Sequence, residues 1–369
     1  MGRSKNSIPF LPDELWFKIL MFLPVISLLQ CKSVCKTWLS IISNPRFVET
    51  HLIESLKKQS VLLDVFRNSI SIHTDETTIY YRLSKLFRWS FEIVCSCNGL
   101  VCISNRATNV IYLGNPMTRR FKKLPPPSDK LDDEYCLLGF GFDDISNDYK
   151  ILRVSVLYKM EDVDDADDDG YDVLFCVLRA EMYSENDDSW KQIQIPETLE
   201  DFPIHDHETM CVNLKGTRIL YFEGQDELLS FDLHYEVFKV YPYPESYPMF
   251  MPHYLQRKSF LLEFEGSVGL IFNESTNDES VPSLWTLNEV LGNWSWSKEF
   301  NLDDLKEIQK FGLYMGDGRF FAHGADEDIF YDYKKKHVKQ IDHYAPLLVG
   351  KYTGYNETLV SLEGFEQLE

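Results

Sequence analysis

The sequence predicts two units of different class. A small all-α unit of three to four helices occupies residues 9–58, and a large all-β domain occupies residues 59–369. The β domain is expected to be a closed or nearly closed β-propeller, with a β-sandwich as the alternative. Three observations predict this. Apolar residues recur at helical spacing near the front, where Leu15, Ile19, Phe22 and Leu23 fall three and four apart. Later apolar residues come in short runs bounded by polar turns, as strands do. A strand–turn–strand unit also returns along the chain, starting at Val110, Ala180, Leu228, Leu284 and Asp328.

The helices come first. Pro12 has a preset φ and no N–H to satisfy, and Asp13 and Glu14 fall in the first turn, where the helix dipole favours acids. Trp16 and Leu20 widen the apolar face. Pro24 ends this helix, and Ser27 is expected to cap a second one that carries Leu28, Leu29 and Cys31. A third runs through Cys35, Trp38, Leu39 and Ile42. Asn44-Pro45 stops it and starts a fourth, which carries Phe47, Val48, Leu52, Ile53 and Leu56. So small a unit buries too little surface to stand alone, so the rest of the chain or a partner must cover part of its apolar face.

These residues carry a resemblance. Leu11-Pro12, Glu14-Leu15, Ile19-Leu20, Leu23-Pro24, Ser27-Leu28, Val34-Cys35-Lys36, Trp38, Ile42 and Pro45 to Phe47 are similar to the F-box motif and in phase with it throughout. The resemblance implies binding to a Skp-family adaptor and, through it, to a cullin and a RING protein in a ubiquitin ligase. It assigns adaptor contact to Leu11, Pro12, Leu15, Ile19, Leu20, Leu23, Pro24, Leu28 and Leu29, with Val34 and Trp38 shared between contact and packing. Ile26 and Gln30 stand where plant versions usually carry basic residues, which removes two charges that mostly tune association rate.

Composition narrows the classes. In 369 residues with 44% hydrophobic content there is enough apolar matter for a large core. No apolar run approaches the ~20 residues a membrane-spanning helix needs. The first ten residues lack the apolar stretch of a signal peptide, and the position of a myristoylation Ser or Thr holds Asn6. A soluble cytoplasmic or nuclear protein is expected, in which the sequons at Asn273, Asn293 and Asn356 carry no meaning. The eight cysteines include no C-x-x-C pair, so reduced thiols are expected and a zinc site is not. The net charge of −21 is uneven: residues 1–60 hold eight basic against four acidic residues, the remainder 29 against 54. So acidic a domain repels phosphate backbones and anionic lipid, which sets nucleic acid and membrane aside as ligands. It would attract a basic protein. Acidic loops also keep a β-rich protein soluble, and the sequence leaves both readings open.

Along the β domain, Ile93 to Ile103 reads as two strands around an Asn98-Gly99 turn, the strongest short hairpin signal. Asn115-Pro116-Met117-Thr118-Arg119 follows. Leu138 to Asp143 and Tyr149 to Val154 are strands about a polar turn. The three segments S-C-N-G-L, N-P-x-T-R and G-F-G-x-D…D-Y-K-V, the last with Ile151 in place of the valine, are similar to signatures of the plant F-box-associated (type 1) domain, which extends the resemblance over nearly the whole chain and implies a kelch-like propeller, although the Gly-Gly of kelch repeats is missing. Within that group the likeness reaches S-locus F-box proteins, which target basic ribonucleases in self-incompatibility. Relatives with other targets share the same signatures. The five repeat starts lie 70, 48, 56 and 44 residues apart, and periods near 45–50 suit four-stranded blades.

Other clusters invite sharper readings. Residues 161–169 hold seven acids, among them Asp164, Asp165, Asp167 and Asp168. As a calcium loop built on Gly170 they fail at position twelve, which is Cys176. A solvated acidic loop, with some contact to a basic target, is expected instead. His205-Asp206-His207-Glu208 lacks a third ligand at metal spacing. The aromatic run holding Tyr243, Tyr247 and Tyr254 is read as an inter-blade loop and as part of an exposed recognition face. No nucleophile elbow or phosphate loop occurs. The expectation is therefore a non-catalytic substrate receptor of a Skp–cullin–F-box ubiquitin ligase, with no metal and no cofactor. The alternatives are an adaptor-binding scaffold without degradation and a glycan-binding or hydrolytic propeller.

Overall fold

The computed structural model describes residues 11–367 apart from 59–60, 67–68, 74–77, 83–90, 106–107, 129–134, 162–172, 200–210, 225–226, 249–258, 277–278, 291, 303–304, 306–307, 309, 324–327 and 341–351. Four helices open it: α1 (Asp13–Met21), α2 (Val25–Cys31), α3 (Lys36–Ile42) and α4 (Pro45–Leu56). Pro12 and Pro24 are the N-cap residues of α1 and α2, with extended ψ of 149° and 154°. Each proline thus sits just outside the helix it opens. Ser27 lies inside α2 rather than at its cap, because Pro24 has already started the helix. Cys35 Sγ accepts from the Trp38 N–H at 3.4 Å, and Asn44 Oδ1 accepts from the Arg46 N–H at 2.9 Å, which caps α3 and α4.

The strands form six antiparallel sheets arranged as a six-bladed β-propeller. The first blade has β1 (Val61–Phe66), β2 (Ser69–His73) and β3 (Thr78–Arg82). The second has β4 (Glu92–Cys97), β5 (Leu100–Asn105), β6 (Val110–Asn115) and β7 (Arg120–Lys123). The third has β8 (Tyr135–Asp143), β9 (Asp148–Glu161), β10 (Val173–Ser184) and β11 (Ser189–Ile193). The fourth has β12 (Cys211–Asn213), β13 (Ile219–Glu223), β14 (Glu227–Asp232) and β15 (Val237–Pro242). The fifth has β16 (Ser259–Phe264), β17 (Ser267–Thr276), β18 (Glu279–Val290) and β19 (Asn293–Asn301). The sixth has β20 (Lys310–Gly316), β21 (Arg319–His323), β22 (Asp328–Asp332) and β23 (His337–Gln340). Then β24 (Tyr352–Tyr355) returns to become the innermost strand of the first blade, with Leu62 opposite Gly354, and β25 (Glu366–Gln367) adds an outer edge to the second.

Each innermost strand touches the next around the ring, from β24 through β4, β8, β12, β16 and β20 back to β24. That closure distinguishes a propeller from the sandwich alternative. The five repeated units are the outer hairpins β6–β7, β10–β11, β14–β15, β18–β19 and β22–β23. The longest interval between them reflects β9 and β10, which run 14 and 12 residues.

The three sequence signatures turn out to be joints. Asn98 and Gly99 both have positive φ, 52° and 75°, as a two-residue hairpin turn needs, and a Cβ on Gly99 would lie 2.1 Å from Thr358 Oγ1. Asn115 is fully buried. Its Nδ2 donates to the carbonyls of Thr358 and Val360, both at 2.9 Å, while its Oδ1 accepts from the Met117 N–H and the Tyr355 hydroxyl. Lys150 Nζ donates to Asp143 Oδ2 at 2.7 Å and to the Leu233 carbonyl at 3.0 Å, and His234 Nδ1 lies 3.0 Å from the same carboxylate oxygen. The third blade is thereby clamped to the fourth.

Two outcomes follow. Asn115→Ala leaves the Thr358 and Val360 carbonyls without these donors, and is expected to lower unfolding free energy by about 2–4 kcal/mol, read from urea midpoints. Burial alone would raise the Asp143 carboxyl, but hydrogen bonds from Lys150, Ser146 and His234 hold it well below the usual carboxylate range. A depressed folded value gives stability that is full above the unfolded value of about 4 and is lost as pH falls toward the folded one. Asp143→Asn should therefore flatten the loss of stability below about pH 4, measured as urea midpoint against pH.

Candidate functional site

The helical unit has two apolar faces. Inward, Leu20, Val25, Leu28, Ile42 and Phe47 join one continuous core with Leu63, Ile72, Ile93, Ile103, Tyr355 and Leu359 from the first two blades and the closing segment. Phe17 meets Phe47 edge-on at 5.0 Å, and Trp16 meets Trp38 likewise at 5.0 Å, which fixes α1 against α4 and α3. Outward, Leu11, Leu15, Ile19, Phe22, Ile26, Val34 and Leu39 are all exposed, Phe22 by 87%. Leu11, Leu15 and Ile19 follow one another at intervals of four, so they form a stripe along α1 and the residues leading into it. Single exposed apolar residues are ordinary; a cluster on adjacent helices marks an interaction surface. Among the described residues, eight of the fourteen large exposed hydrophobic side chains lie within residues 11–56.

This divides the expected adaptor residues. Leu11, Pro12, Leu15, Ile19, Pro24 and Val34 are exposed, and Leu23, Leu29 and Trp38 are half-buried. Leu20 and Leu28, at 1% and 0% exposure, point into the core instead and cannot touch a partner directly. Motif position does not separate Ile19 from Leu20, whereas a 100° step around a helix does. Phe22, Ile26 and Leu39 belong to the outward face although the F-box resemblance did not assign them. The helical spacing from Leu15 and Ile19 was the signal for Phe22.

The expected target residues fare differently. Asp164, Asp165, Asp167, Asp168 and Tyr254, with the His205 to Glu208 run, lie outside the described residues. Tyr243 and Tyr247, expected on an exposed face, are 8% and 4% exposed. Their rings lie 4.2 Å apart, and their hydroxyls reach the Gly224 carbonyl at 3.1 Å and Ser259 Oγ at 3.0 Å. They are core residues of the seam between the fourth and fifth blades, because both rings pack into its apolar cluster while each hydroxyl finds a hydrogen-bond partner there.

Two concavities among the described residues bear on function. A cavity of about 500 Å3 at the centre of the ring is lined by the innermost strands β4, β12, β16, β20 and β24 and by Leu56, Lys57 and Lys58 at the end of α4. Glu263 faces it, with a carboxyl raised by burial and partly restored by Lys215. Cys97 also lines it; burial pushes that thiol and the Cys102 thiol up, which keeps both neutral and poor nucleophiles. Among the described residues no group of three or more His, Cys, Asp or Glu is placed to hold a metal. No helix of the described residues is long and apolar enough to cross a membrane. The second concavity, about 610 Å3, lies between the fourth and fifth blades and is lined by Tyr241, Trp285, Trp294 and Trp296. Sequence reasoning did not single it out. The alternation of Trp294 and Trp296 was the available signal.

Comparison with known proteins gives a consistent picture. Residues 8–50 match the family described as F-box domain, and residues 49–318 match the F-box associated beta propeller domain. The chain is 24% identical to F-box protein CPR1 of Arabidopsis thaliana over 329 residues, covering 83% of this chain and 76% of that protein. It is 29% identical to F-box protein At3g08750 of the same plant over 63% of this chain and 60% of that one. With F-box protein At5g49610, also from A. thaliana, the identity is 33%, over 41% and 44% of the two chains. An outward apolar face on four helices, built onto a six-bladed ring and matched by both profiles, places this chain in the family of F-box proteins that carry an F-box associated beta propeller domain.

Proposed function

We propose that this chain is the substrate-recognition subunit of a Skp–cullin–F-box ubiquitin ligase. Residues 9–58 dock a Skp-family adaptor and, through it, a cullin and a RING protein. Residues 59–369 grip a protein target, and the acidic balance of that domain favours a basic one. The observation that carries this reading is the outward stripe of Leu11, Leu15, Ile19 and Phe22, which the fold leaves uncovered while the opposite face of the same helices is built into the blades. The chain contributes no chemistry of its own. It raises the local concentration of the target's lysines beside the ubiquitin-charged enzyme, a proximity effect. The action is that of a soluble protein of the cytoplasm or nucleus, where the acceptor lysines of a target are free to meet the ligase.

The test separates docking from folding. Leu15→Asp with Ile19→Asp is expected to abolish co-purification with a Skp-family adaptor, a loss of at least about a hundredfold in affinity, since each apolar side chain covered is worth about 1.5–3 kcal/mol. Its thermal midpoint should stay within a few degrees of wild type. Leu20→Ala should behave in the opposite way: about 2–5 kcal/mol of stability lost to a cavity, with adaptor binding kept in whatever fraction remains folded. Undiminished adaptor capture by the double aspartate variant would overturn the proposal.

A further inference from the structure

The groove between the fourth and fifth blades has a defined aromatic lining. Trp294 and Trp296 alternate on β19, so the two-residue period of a strand puts both rings on one side. Trp294 meets Tyr241 edge-on at 5.1 Å, and Trp296 lies 6.5 Å from Tyr243. Two of the three indoles in the groove are pinned. Trp296 Nε1 donates to the Pro242 carbonyl at 2.8 Å, and Trp285 Nε1 donates to Glu274 Oε1 at 3.1 Å. Trp294, 39% exposed, stands at the opening. A lining fixed in advance loses little ordering entropy when a ligand enters.

The charges around it are mostly negative. Glu245 lines the groove and is exposed, and Glu289 pairs directly with Trp294 across β18 and β19 and is exposed as well. Glu274 on the floor accepts from Ser246, Ser283, Trp285 and Lys298, and its ion pair with Lys298 satisfies the cation there. Aromatic faces carry negative potential, and the surplus of acids beyond residue 60, 54 against 29, adds a long-range pull on cations. An apolar ligand would use the rings and waste the acids. An ammonium would use the acids and little of the flat ring surface. A guanidinium is planar, stacks on aromatic faces and offers edge donors to carboxylates.

We infer that this groove takes an arginine side chain from an extended basic segment of the protein target, with the guanidinium against Trp294 and Trp296 and its edge toward Glu245 and Glu289. The assignment deepens the receptor reading above and rests on it.

The probe is the blocked peptide acetyl-Gly-Gly-Arg-Gly-Gly-amide, titrated into the full chain purified with its adaptor and labelled with 5-fluorotryptophan. Fluorine NMR reads each of the seven tryptophans, and Trp294→Phe and Trp296→Phe assign the two that matter. The arginine peptide should shift those two signals and bind about tenfold more tightly than its citrulline counterpart, the ratio a desolvated cation–π contact supports. Glu245→Gln with Glu289→Gln, both exposed and harmless to folding, should weaken it several-fold and reduce its salt dependence. Equal binding of citrulline and arginine overturns the inference, as does equal competition by a Pro-Pro-Pro peptide, which makes the groove a purely apolar seat. Groove signals that move with protein concentration alone overturn it in favour of a second copy of the chain. Adaptor capture without any peptide response removes the groove assignment and leaves the receptor reading standing. The same titration on the full chain purified alone covers the converse: a peptide response there, with no adaptor captured in a separate pull-down, removes the ligase reading and keeps the groove as an arginine seat.

Discussion

The stretch from Tyr352 to Val360 is held by three parts of the chain at once, and each depends on it. As β24 it pairs with β1 and supplies the innermost strand of the first blade. The Ser96 hydroxyl donates to the Gly354 carbonyl, and Asn115 donates to the carbonyls of Thr358 and Val360, which ties the same stretch to the second blade. Asn356 Nδ2 donates to the carbonyls of Ser55 and Lys58 at 3.0 and 3.3 Å, and Ser55 Oγ donates back to the Glu357 carbonyl at 2.7 Å, which ties it to the end of α4. These contacts join residues some three hundred positions apart. Their loop-closure cost grows only slowly with length, while the ring they complete leaves no innermost strand with an open neighbour.

That joint explains how so small a helical unit is stable. Four helices over residues 13–56 cannot bury a core of their own. Here Leu20, Leu28 and Phe47 share one core with the first two blades, and His51 stacks on Phe47 within it. The inward face is satisfied by the propeller, and the outward face is the one left over. The same packing fixes the direction in which that outward face points relative to the ring, because α4 ends at Leu56 and β1 begins at Val61. A receptor that works by proximity gains from such stiffness, since a rigid offset concentrates a bound target's lysines in a limited volume instead of spreading them over the reach of a flexible linker.

Much of this was legible in the residues. The prolines and Asn44 marked the helix starts, and apolar spacing marked their faces. The recurring outer hairpins revealed a stack of like units. The first blade was not legible, because its innermost strand comes from residues 352–355 and no local pattern reports a partner so far along the chain. Leu20 and Ile19 carry the same hydrophobicity in the same motif, and only the docked position of α1 decides which one the propeller covers. Tyr243 and Tyr247 misled for a related reason. A run of tyrosines and prolines reads as a surface loop, yet the inter-blade seam offers each hydroxyl a hydrogen-bond partner, which is what lets a tyrosine sit inside.

The residues that made the family recognisable also limit where target choice resides. Gly99 is pressed against Thr358, Asn115 is spent on the closing stretch, and Asp143 and Lys150 are spent on each other and on Leu233 and His234. Every one of these residues is buried or committed inside the ring, so none is available to a target. They specify a scaffold that proteins with different targets can share, and discrimination then falls to side chains the scaffold does not need. On the described surface the seam proposed above as an arginine seat uses side chains of this kind: Trp294 stands at its opening on the outer strand β19 and is 39% exposed. Replacing Trp294 gives up its edge-on contact with Tyr241 but leaves the joints at Asn115, Asp143 and Asn356 intact, so it costs the fold less than a change at any of those residues.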